Sequence, residues 1–455
     1  MTNINGSPGK SQQGRGVERK AWKEGGSNDR IGTVRVLLIS ANQTEINMRT
    51  IPLGLGCVAS ALRRAGHAVQ MLDLMEVEEA SSALAEAVHR FTPEVIGISI
   101  RNIDDQTMGS TRFFVTETNQ IIGRLRSLSS APLVLGGAGY SIFPEAVLNC
   151  TQADMGICGE GEEPLRMLLE RLETKQPLLE VPGLCIRGRG LQNRIFVKDL
   201  DRLPLPDTDL IGLPTGDDAV LPVQTRRGCP MACSYCSTAS IEGTMIRKRS
   251  PKKVVEWISR WTGEGVHQLY FVDNTFNLPV SYARDLCREL TRASLGVTWR
   301  SIIYPKMEEP LAAAMAEAGC IEASVGFESG CERILRAMNK RFRLEDVRRT
   351  CRVLSTRGVR SMGFLLLGGP GETRRSVEES LAFADSLDLD ALKITVGIRI
   401  YPHTRLADQA RREGLIGDED DLLVPRFYLA AGLEGWITEA VAARAETRPH
   451  WKVSF

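Results

Sequence analysis

The sequence predicts an α/β protein in which two parallel-sheet domains follow each other and end in a short C-terminal cap. Strand and helix patterns alternate along most of the 455 residues, in two series that a Pro-, Gly- and Asp-rich segment separates. The strand patterns are continuous apolar runs, as expected for strands that helices cover on both faces. We therefore expect a Rossmann-like, doubly wound domain followed by a partial (β/α)6 TIM barrel.

The first series extends over residues 33–180. Its predicted strands are short apolar runs over 33–40, 69–74, 94–100, 132–137 and 154–160. Its predicted helices have an apolar stripe and lie over 52–65, 82–91, 114–127 and 162–174. Residues 181–220 are rich in turn-forming residues and are predicted to be a linker that contains a small hairpin.

The second series, over residues 221–404, contains six β/α units. Its predicted strands lie over 219–228, 268–273, 297–303, 322–329, 361–368 and 392–400. Its predicted helices lie over 251–263, 280–293, 309–318, 331–337, 344–357 and 375–387. A full barrel has eight units, so six predict one that is not completely closed. Residues 405–455 contain no clear strand pattern and are expected to cap the open side.

The N-terminal residues 1–32 predict a disordered tail, because their Gly, Ser, Gln, Lys and Arg content cannot form a core. They lack the apolar segment of a secretory signal, and no run of 18 apolar residues is present anywhere. We therefore expect a cytoplasmic protein without a membrane span. The net charge is +1, which gives no overall attraction to nucleic acid, and we expect no nucleic-acid partner.

Three of the eleven cysteines lie close together, and the other eight are scattered through apolar patterns typical of buried free thiols. The three are Cys229, Cys233 and Cys236, and they follow the first predicted barrel strand, at the end where barrel enzymes build their active sites. This spacing lets three thiolates bind one [4Fe–4S] cubane and leaves one iron without a protein ligand. Zinc is the competing metal, but its structural sites use four ligands with paired spacing.

The cysteine segment, Thr225-Arg-Arg-Gly-Cys229-Pro-Met-Ala-Cys233-Ser-Tyr235-Cys236, resembles the CxxxCxxC signature of the radical S-adenosylmethionine superfamily, including the aromatic residue before the third cysteine. The resemblance implies that the open iron chelates the amino and carboxylate groups of S-adenosylmethionine. An electron passed through the cluster would then break the S–C5′ bond and produce a 5′-deoxyadenosyl radical. It also implies an external electron donor of the flavodoxin or ferredoxin type.

Further segments of the barrel resemble the parts of that superfamily that contact S-adenosylmethionine. Val325-Gly-Phe-Glu328-Ser-Gly330 is similar to its strand-four motif, and Leu365-Leu-Leu-Gly-Gly-Pro370-Gly-Glu372-Thr is similar to its strand-five turn. The usual Gly-Gly-Glu after strand two is replaced by a segment that contains Asp273. The residues implied to bind S-adenosylmethionine are Tyr235, Asp273, Gly326, Glu328, Ser329 and Gly369. Arg300, Tyr304 and Arg399 are expected to face the same mouth of the barrel, or to be surface residues.

The first domain carries glycine-rich segments after its strands, at the edge where open α/β sheets bind ligands. Glycines there leave room for a large flat cofactor or its nucleotide tail. No segment is a GxGxxG fingerprint, because Gly136-Gly-Ala-Gly139 lacks the last glycine and the downstream acid, and a dinucleotide is therefore disfavoured.

The same domain resembles the cobalamin-binding domain of class B radical S-adenosylmethionine methylases. The resemblance rests on the segments 52–73, Ser99-Ile-Arg-Asn-Ile-Asp-Asp-Gln106 and 135–145. The residues implied to bind cobalamin are Asn42, Leu53, Gly54, Ser99, Arg101, Asn102, Gly136, Gly137, Ala138, Gly139, Gly159 and Glu160. The loop after the first strand has no DxHxxG motif, which implies a cobalt without a protein imidazole. Arg49 or Arg101 could approach the lower face of the cobalt, or serve a surface or phosphate-binding role.

The resemblance implies a cobalamin-dependent methyltransferase that acts on an unactivated carbon of a small-molecule biosynthetic intermediate, and we expect a monomer. Oxidative cyclisation or rearrangement with the same cofactors is the alternative. Methylthiotransfer to RNA would need a second cysteine triplet, and a cobalamin sensor would leave the cluster idle. The cap, with Pro425-Arg-Phe-Tyr428, is the expected substrate holder. The sequence identifies neither the substrate nor a catalytic residue.

Overall fold

The computed structural model describes residues 32–45, 51–212 and 220–455. The predicted disordered tail, apart from Gly32, lies outside this part of the chain, as does Arg49. Residues 33–455 form one unit, so the two sheets and their mutual contacts are described together.

The first sheet has seven strands in the order β2-β1-β3-β4-β5-β6-β7. Its strands are β1 Arg35–Ser40, β2 Ala68–Asp73, β3 Val95–Ser99, β4 Leu133–Gly136, β5 Met155–Ile157, β6 Leu184–Ile186 and β7 Gly190–Leu191. The first five are parallel, as the sequence predicts. The hairpin predicted in the linker is β6–β7, and it extends this sheet by antiparallel pairing with β5.

Six helices accompany this sheet in the described chain. They are α1 Leu53–Arg64, α2 Ala80–Phe91, α3 Val115–Leu128, α4 Ala138–Ile142, α5 Pro144–Cys150 and α6 Glu162–Thr174. A 3-10 turn, Leu178–Glu180, directly precedes the linker. The linker contains a second 3-10 turn, Leu200–Arg202, and the one-turn helix α7 Thr208–Ile211.

The second sheet is parallel throughout, in the order β18-β15-β14-β13-β12-β11-β8. Its strands are β8 Leu221–Val223, β11 Gln268–Phe271, β12 Thr298–Ile303, β13 Cys320–Glu328, β14 Arg360–Leu367, β15 Ala391–Val396 and β18 Trp451–Ser454. Two small antiparallel pairs flank it, β9 Arg226–Arg227 with β10 Arg247–Lys248 and β16 Ile398–Arg399 with β17 Phe427–Tyr428.

Helices connect the strands of the second sheet and cover one of its faces. They are α8 Thr238–Glu242, α9 Pro251–Gly263, α10 Val280–Ala293, α11 Glu309–Glu317, α12 Glu332–Ala337, α13 Leu344–Thr356, α14 Arg374–Asp385, α15 Arg405–Arg412 and α16 Trp436–Glu446. The predicted six β/α units are therefore present, and the α/β fold class is confirmed.

The expectation that residues 405–455 contain no strand is wrong. Trp451–Ser454 forms β18, which pairs with β15 and adds a seventh parallel strand to the sheet. The pattern was missed because Trp-Lys-Val-Ser is only four residues long and mixes apolar with polar side chains. These four residues add a strand at the edge of the sheet, beside β15.

A buried ion pair joins the two halves of the fold. Asp104, in the loop after β3, accepts a hydrogen bond from Arg399 at 2.8 Å, and both side chains are almost completely buried. Arg399 also donates to the carbonyl oxygens of Ile400 and Leu422. Arg399 is therefore not a surface residue. It lies at the end of the barrel, where its charge is paired with Asp104 of the first domain.

None of the described helices is long and apolar enough to cross a membrane.

Replacing Trp451 with alanine tests the seventh strand. Trp451 is 7% exposed and packs in the main core, so Trp451→Ala is expected to lower the free energy of unfolding by about 3 kcal/mol. Urea denaturation measures this. Leu415→Ala, at a side chain that is 50% exposed, is the control and should change the free energy by less than about 0.5 kcal/mol. Equal effects of the two substitutions would contradict the buried strand.

Candidate active site

The three clustered cysteines lie on the loop between β9 and α8, which the surrounding backbone holds in place. The backbone N–H of Cys229 donates to Gly243, and that of Ser234 donates to Met338. The side chain of Asn339 donates to the carbonyl oxygen of Ala232 at 2.6 Å, where the backbone has a positive φ of 51°. The loop is therefore fixed from both sides, by its own helix end and by the segment after α12.

All three thiols are partly exposed and lie close enough together to influence one another. Burial raises the pKa of Cys229, and the neighbouring Cys236 and Cys233 raise it further. Among the described residues no three ligands surround a single point that could hold one metal ion. A cubane does not require this arrangement, since each thiolate binds a different iron. The loop therefore fits a [4Fe–4S] cluster.

A buried lysine that the sequence analysis missed links two of the predicted S-adenosylmethionine residues. Lys340 forms an ion pair with Glu328 at 3.1 Å, and its ammonium lies 5.2 Å from the ring centre of Tyr235. It also lowers the pKa of Cys233, although burial of that thiol has the larger, opposite effect. Glu328 has a positive φ of 61°, a strained conformation of the kind found at functional sites. This group places a cation, a carboxylate and an aromatic ring beside the thiol loop.

The prediction that Asp273 contacts S-adenosylmethionine is contradicted by its surroundings. Its carboxylate is buried and accepts from the backbone N–H groups of Thr225 and Arg226 and from the Thr225 hydroxyl, at 2.6–3.1 Å. The Arg226 guanidinium lies 3.3 Å away. Asp273 therefore fixes the chain just before the cysteines, and has no capacity left for a cofactor's amino group.

Ser329 does not line the mouth of the barrel either, contrary to the prediction. Its side chain is completely buried, lies 3.1 Å from the Ser380 hydroxyl and accepts from the N–H of Cys331. Gly369 has a packing role as well, because a Cβ there would lie 2.9 Å from Met338. Gly326 is partly exposed beside Glu328, so of the six predicted residues Tyr235, Gly326 and Glu328 are the ones that lie together at the mouth.

Arg300 and Tyr304, which were also predicted to face the mouth of the barrel or to be surface residues, both pack against aromatic rings. Arg300 is partly buried, with its guanidinium 5.7 Å from the ring centre of Tyr270 inside the barrel. Tyr304 is buried against Phe342, and its hydroxyl accepts from the N–H of Arg341. Tyr304 is therefore neither exposed nor available at the mouth.

A large cleft lies between the carboxyl edge of the first sheet and the barrel. Its volume is about 450 Å³, and ten of the twelve residues predicted to bind cobalamin line it. The two that do not are Asn102, which lines a smaller neighbouring pocket, and Gly139, which packs against the backbone of residues 100–102. A Cβ at Gly54 would meet no atom within 4 Å, so the cleft is open at this glycine. No histidine belongs to the part of this lining that the structure describes.

The barrel contributes its own wall to this cleft, and the sequence analysis missed it. The wall consists of Pro222, Gln224, Arg227, Ile241, Glu242 and Val272. Burial raises the pKa of Glu242, whose carboxylate accepts from Gly228, Gln224 and Asn274. Arg227 lies immediately before the thiol loop, and Ile241 and Glu242 lie in α8, the helix that follows it, so lining residues of the cleft flank the loop on both sides.

Four buried charges connect the thiol loop to the first domain. Arg227 donates to both oxygens of Glu162, at 2.6 and 3.3 Å, and lies 3.3 Å from Glu160. Arg247 forms an additional short contact with Glu160. Burial alone would raise the pKa of Glu162, but Arg227 holds it below its usual value. Glu160 lines the cleft as predicted, but both of its oxygens already have partners within the protein.

Two family models match the two halves of the chain. The B12 binding domain matches residues 39–169, and the Radical SAM superfamily matches residues 223–384. The chain belongs to the radical S-adenosylmethionine enzymes that carry a B12-binding domain. The first model contains the glycine-lined edge of the cleft, and the second begins at the strand that leads to the three cysteines.

Relatives of this radical S-adenosylmethionine enzyme match it over most of their length. An uncharacterized methyltransferase of Pyrococcus horikoshii is 28% identical over 380 residues, 80% of this chain and 79% of the relative. Tryptophan 2-C-methyltransferase of Streptomyces laurentii is 24% identical over 83% of this chain and 74% of its own. The radical S-adenosylmethionine methyltransferase TsrM of Kitasatospora setae, solved with tryptophan and a cofactor analogue, is similar in fold, with a TM-score of 0.79, 22% identity and coverage of 91% and 89%.

The site residues that the sequence analysis missed have almost no local sequence signal. Lys340 lies in the basic run Lys340-Arg-Phe-Arg343, which is typical of an exposed turn. Its burial results from β13 and the thiol loop closing around it. Glu242 and Arg227 become wall residues only because the two domains meet there. A basic pair directly before a cysteine motif was the one available hint, through Arg226 and Arg227.

Replacing the three cysteines together separates the two cofactor sites. In Cys229→Ala/Cys233→Ala/Cys236→Ala the reconstituted protein should lose the iron–sulfur absorbance and retain cobalamin, because the cleft lining contains none of the three thiols. The matched control is Cys287→Ala, at a buried cysteine of α10, which should keep both absorbances. Retention of the cluster by the triple variant would contradict the assignment.

The strand-five turn predicts a pH dependence of stability. Burial raises the pKa of Glu372 from 4.5 to about 7, against the effect of the Gly368 and Gly369 N–H donors. The folded state therefore binds this proton more tightly than the unfolded state. The protonated Glu372 carboxyl makes its full contribution to the free energy of unfolding below about pH 4.5, and this contribution is lost as the pH rises through 7.

Glu372→Gln should remove this dependence, because glutamine cannot ionise. The free energy of unfolding of the variant, relative to that of the natural protein, should rise by up to about 3 kcal/mol between pH 5 and pH 8. Urea denaturation at the two pH values measures this difference. Other groups titrate in both proteins, so their contributions cancel. A difference that does not change with pH would contradict the buried protonated carboxyl.

Proposed function

We propose that this enzyme transfers a methyl group from S-adenosylmethionine, by way of cobalamin, to an unactivated carbon of a small-molecule biosynthetic intermediate. The observation that carries the proposal is the continuity of the two sites. The loop with the three thiols begins after Arg227 and ends before Ile241 and Glu242, and all three of these residues line the cobalamin cleft. Groups bound at the two sites would therefore face each other.

The chemistry comes from the bound groups, and the protein positions them. When bound, the cluster supplies the electron that cleaves S-adenosylmethionine, and cobalamin carries the methyl group. Lys340 and Glu328 offer the charges that match a carboxylate and an amino group beside the thiol loop, and Tyr235 offers an aromatic face. We assign Tyr235, Gly326, Glu328 and Lys340 to S-adenosylmethionine.

The cleft residues have a complementary role. The glycines at the edge of the first domain leave space for the flat ring of cobalamin. Gly54, Gly136 and Gly159 lie along the wall of the cleft. Arg101 is exposed and lines the same cleft, near Asp73 and Tyr270. We assign the ten lining residues of the prediction to cobalamin, together with Gln224 and Glu242 from the barrel.

Enclosure of the site follows from contacts between the domains. The Arg227–Glu162 and Arg399–Asp104 ion pairs are both buried and hold the first domain over the barrel mouth. We propose that this arrangement limits the access of water to the space between the two cofactors, which would protect a radical from side reactions.

The remaining features belong to the same proposal. We place the cobalamin domain at residues 33–180, the linker at 181–220, the barrel at 221–404 and the C-terminal segment at 405–455. We further propose that the enzyme works in the cytoplasm as a monomer and receives electrons from a flavodoxin or ferredoxin.

Labelled methyl transfer tests the proposed reaction. The enzyme, loaded with its cluster and cobalamin and kept reduced, is incubated with methyl-labelled S-adenosylmethionine and an extract of the small molecules of its source. The label should appear in a product and at a new carbon–carbon bond. The triple cysteine variant, loaded with cobalamin, is the control and should give none.

A product without label, formed only by the enzyme with its cluster, would contradict methyl transfer. It would instead support oxidative cyclisation or rearrangement. Mass spectrometry of the isolated product distinguishes the two results directly.

A further inference from the structure

A chain of polar side chains runs from one of the three cysteines to the wall of the cobalamin cleft. The Sγ of Cys236 lies 3.2 Å from the hydroxyl of Thr238, the first residue of α8. That hydroxyl lies 3.5 Å from the Oδ1 of Asn274, in the loop after β11. The amide nitrogen of Asn274 in turn donates to Glu242 at 2.7 Å. Glu242 lines the cleft, so these four side chains connect the two cofactor sites.

The carboxylate of Glu242 fixes the orientation of the Asn274 amide. Glu242 also accepts from the backbone N–H of Gly228 at 3.0 Å and from the side chain of Gln224 at 3.2 Å. A carboxylate accepts hydrogen bonds, so the NH2 group of Asn274 must face it. The other end of the amide, Oδ1, therefore faces Thr238 and acts there as an acceptor.

The hydroxyl of Thr238 has one proton and two acceptors nearby. A cysteine that binds iron is a thiolate, so in the loaded enzyme Cys236 has no proton to donate and accepts from Thr238. The Oδ1 of Asn274 competes for the same proton. Its distance of 3.5 Å is long for a hydrogen bond between two oxygens, so the sulfur receives the larger share.

A hydrogen bond to a ligand sulfur changes how easily a cluster is reduced. Reduction adds a negative charge that spreads over the iron and sulfur atoms, so the donor stabilises the reduced cluster more than the oxidised one. Thr238 therefore raises the reduction potential of the cluster. Asn274 lowers it, because its oxygen takes part of the same proton. A change at Glu242 that moves Asn274 would reach the cluster through this competition.

We propose that Thr238 and Asn274 are positioning residues that link the reduction potential of the cluster to the cobalamin cleft. Thr238 donates to Cys236, and Asn274 limits this donation. Glu242 holds Asn274 from the wall of the cleft. A group that fills the cleft and contacts Glu242 then alters the potential at which the cluster accepts its electron. The proposal rests on the two cofactors and is independent of the proposed methyl transfer.

Redox titration tests the proposal in the enzyme loaded with its cluster and cobalamin. The fraction of reduced cluster is followed by electron paramagnetic resonance while the applied potential is lowered. Neither S-adenosylmethionine nor a substrate is present, so a failure of the labelled-methyl experiment would not affect this result.

Substitutions of the two residues should shift the potential in opposite directions. Thr238→Val removes the donor and should make the cluster about fivefold harder to reduce, a shift of about −40 mV. Thr238→Ser keeps the hydroxyl and should restore the natural potential. Asn274→Leu leaves the hydroxyl to the sulfur and should make reduction about twofold easier, a shift of about +20 mV. Thr244→Val, at an exposed threonine two residues after α8, is the matched control and should leave the potential unchanged.

The link to the cleft is tested by repeating the titrations without cobalamin. Removing cobalamin changes the charge near the cluster in every variant. The part of this change that passes through Asn274 also requires the Thr238 hydroxyl. The cobalamin-dependent shift of the potential should therefore differ between the natural enzyme and Thr238→Val.

Three results would overturn the proposal. The first is a potential of Thr238→Val that equals or exceeds that of the natural enzyme. The second is a shift of Asn274→Leu in the same direction as that of Thr238→Val, which a general disturbance of the loop would produce. The third is an equal cobalamin-dependent shift in the natural enzyme and Thr238→Val. If Asn274→Leu does not retain the cluster, Asn274→Ala provides the same comparison.

Discussion

Arg227 and its two glutamates determine where the thiol loop lies relative to the first domain. The guanidinium is buried and donates to both oxygens of Glu162, while Glu160 is shared between Arg227 and Arg247. Removing one member of such a buried group typically costs about 3–5 kcal/mol, because the remaining charge loses its partner. Because Arg227 is two residues before Cys229, this energy fixes the cysteines against the cleft. The relative position of the two cofactor sites depends on it.

The rest of the site follows from this constraint. Asp273 orders the segment from Thr225 to Arg226, so that Arg227 leaves the strand in a defined direction. On the other side of the mouth, the Asp104–Arg399 pair holds the loop after β3 over the end of the barrel. The cobalamin cleft and the group of residues around Lys340 lie between these two contacts. These ion pairs thus hold the walls of the cofactor sites in position.

The sequence was sufficient for features that depend on local pattern and not for those that depend on the meeting of the domains. The strand and helix alternation, the three cysteines and ten cleft residues could be predicted, because apolar periodicity and glycine-rich strand ends are local signals. The roles of Asp273 and Ser329 could not, because an acid or a hydroxyl at a strand end has the same local pattern whether it faces a ligand or its own backbone. Lys340 and β18 were missed for the related reason that burial and strand pairing there come from distant parts of the chain.

The central claim is that the cobalamin cleft and the iron–sulfur cluster lie side by side. The magnetic interaction between the unpaired electrons of the two cofactors tests this claim most directly. With both groups bound, the cobalt is prepared as cob(II)alamin and the cluster is reduced, and electron paramagnetic resonance is recorded. The account predicts that the reduced cluster broadens the cobalt signal and shortens its spin relaxation. The same signal should be unperturbed in the triple cysteine variant. A cobalt signal that is identical with and without the reduced cluster would contradict the side-by-side arrangement of the two sites.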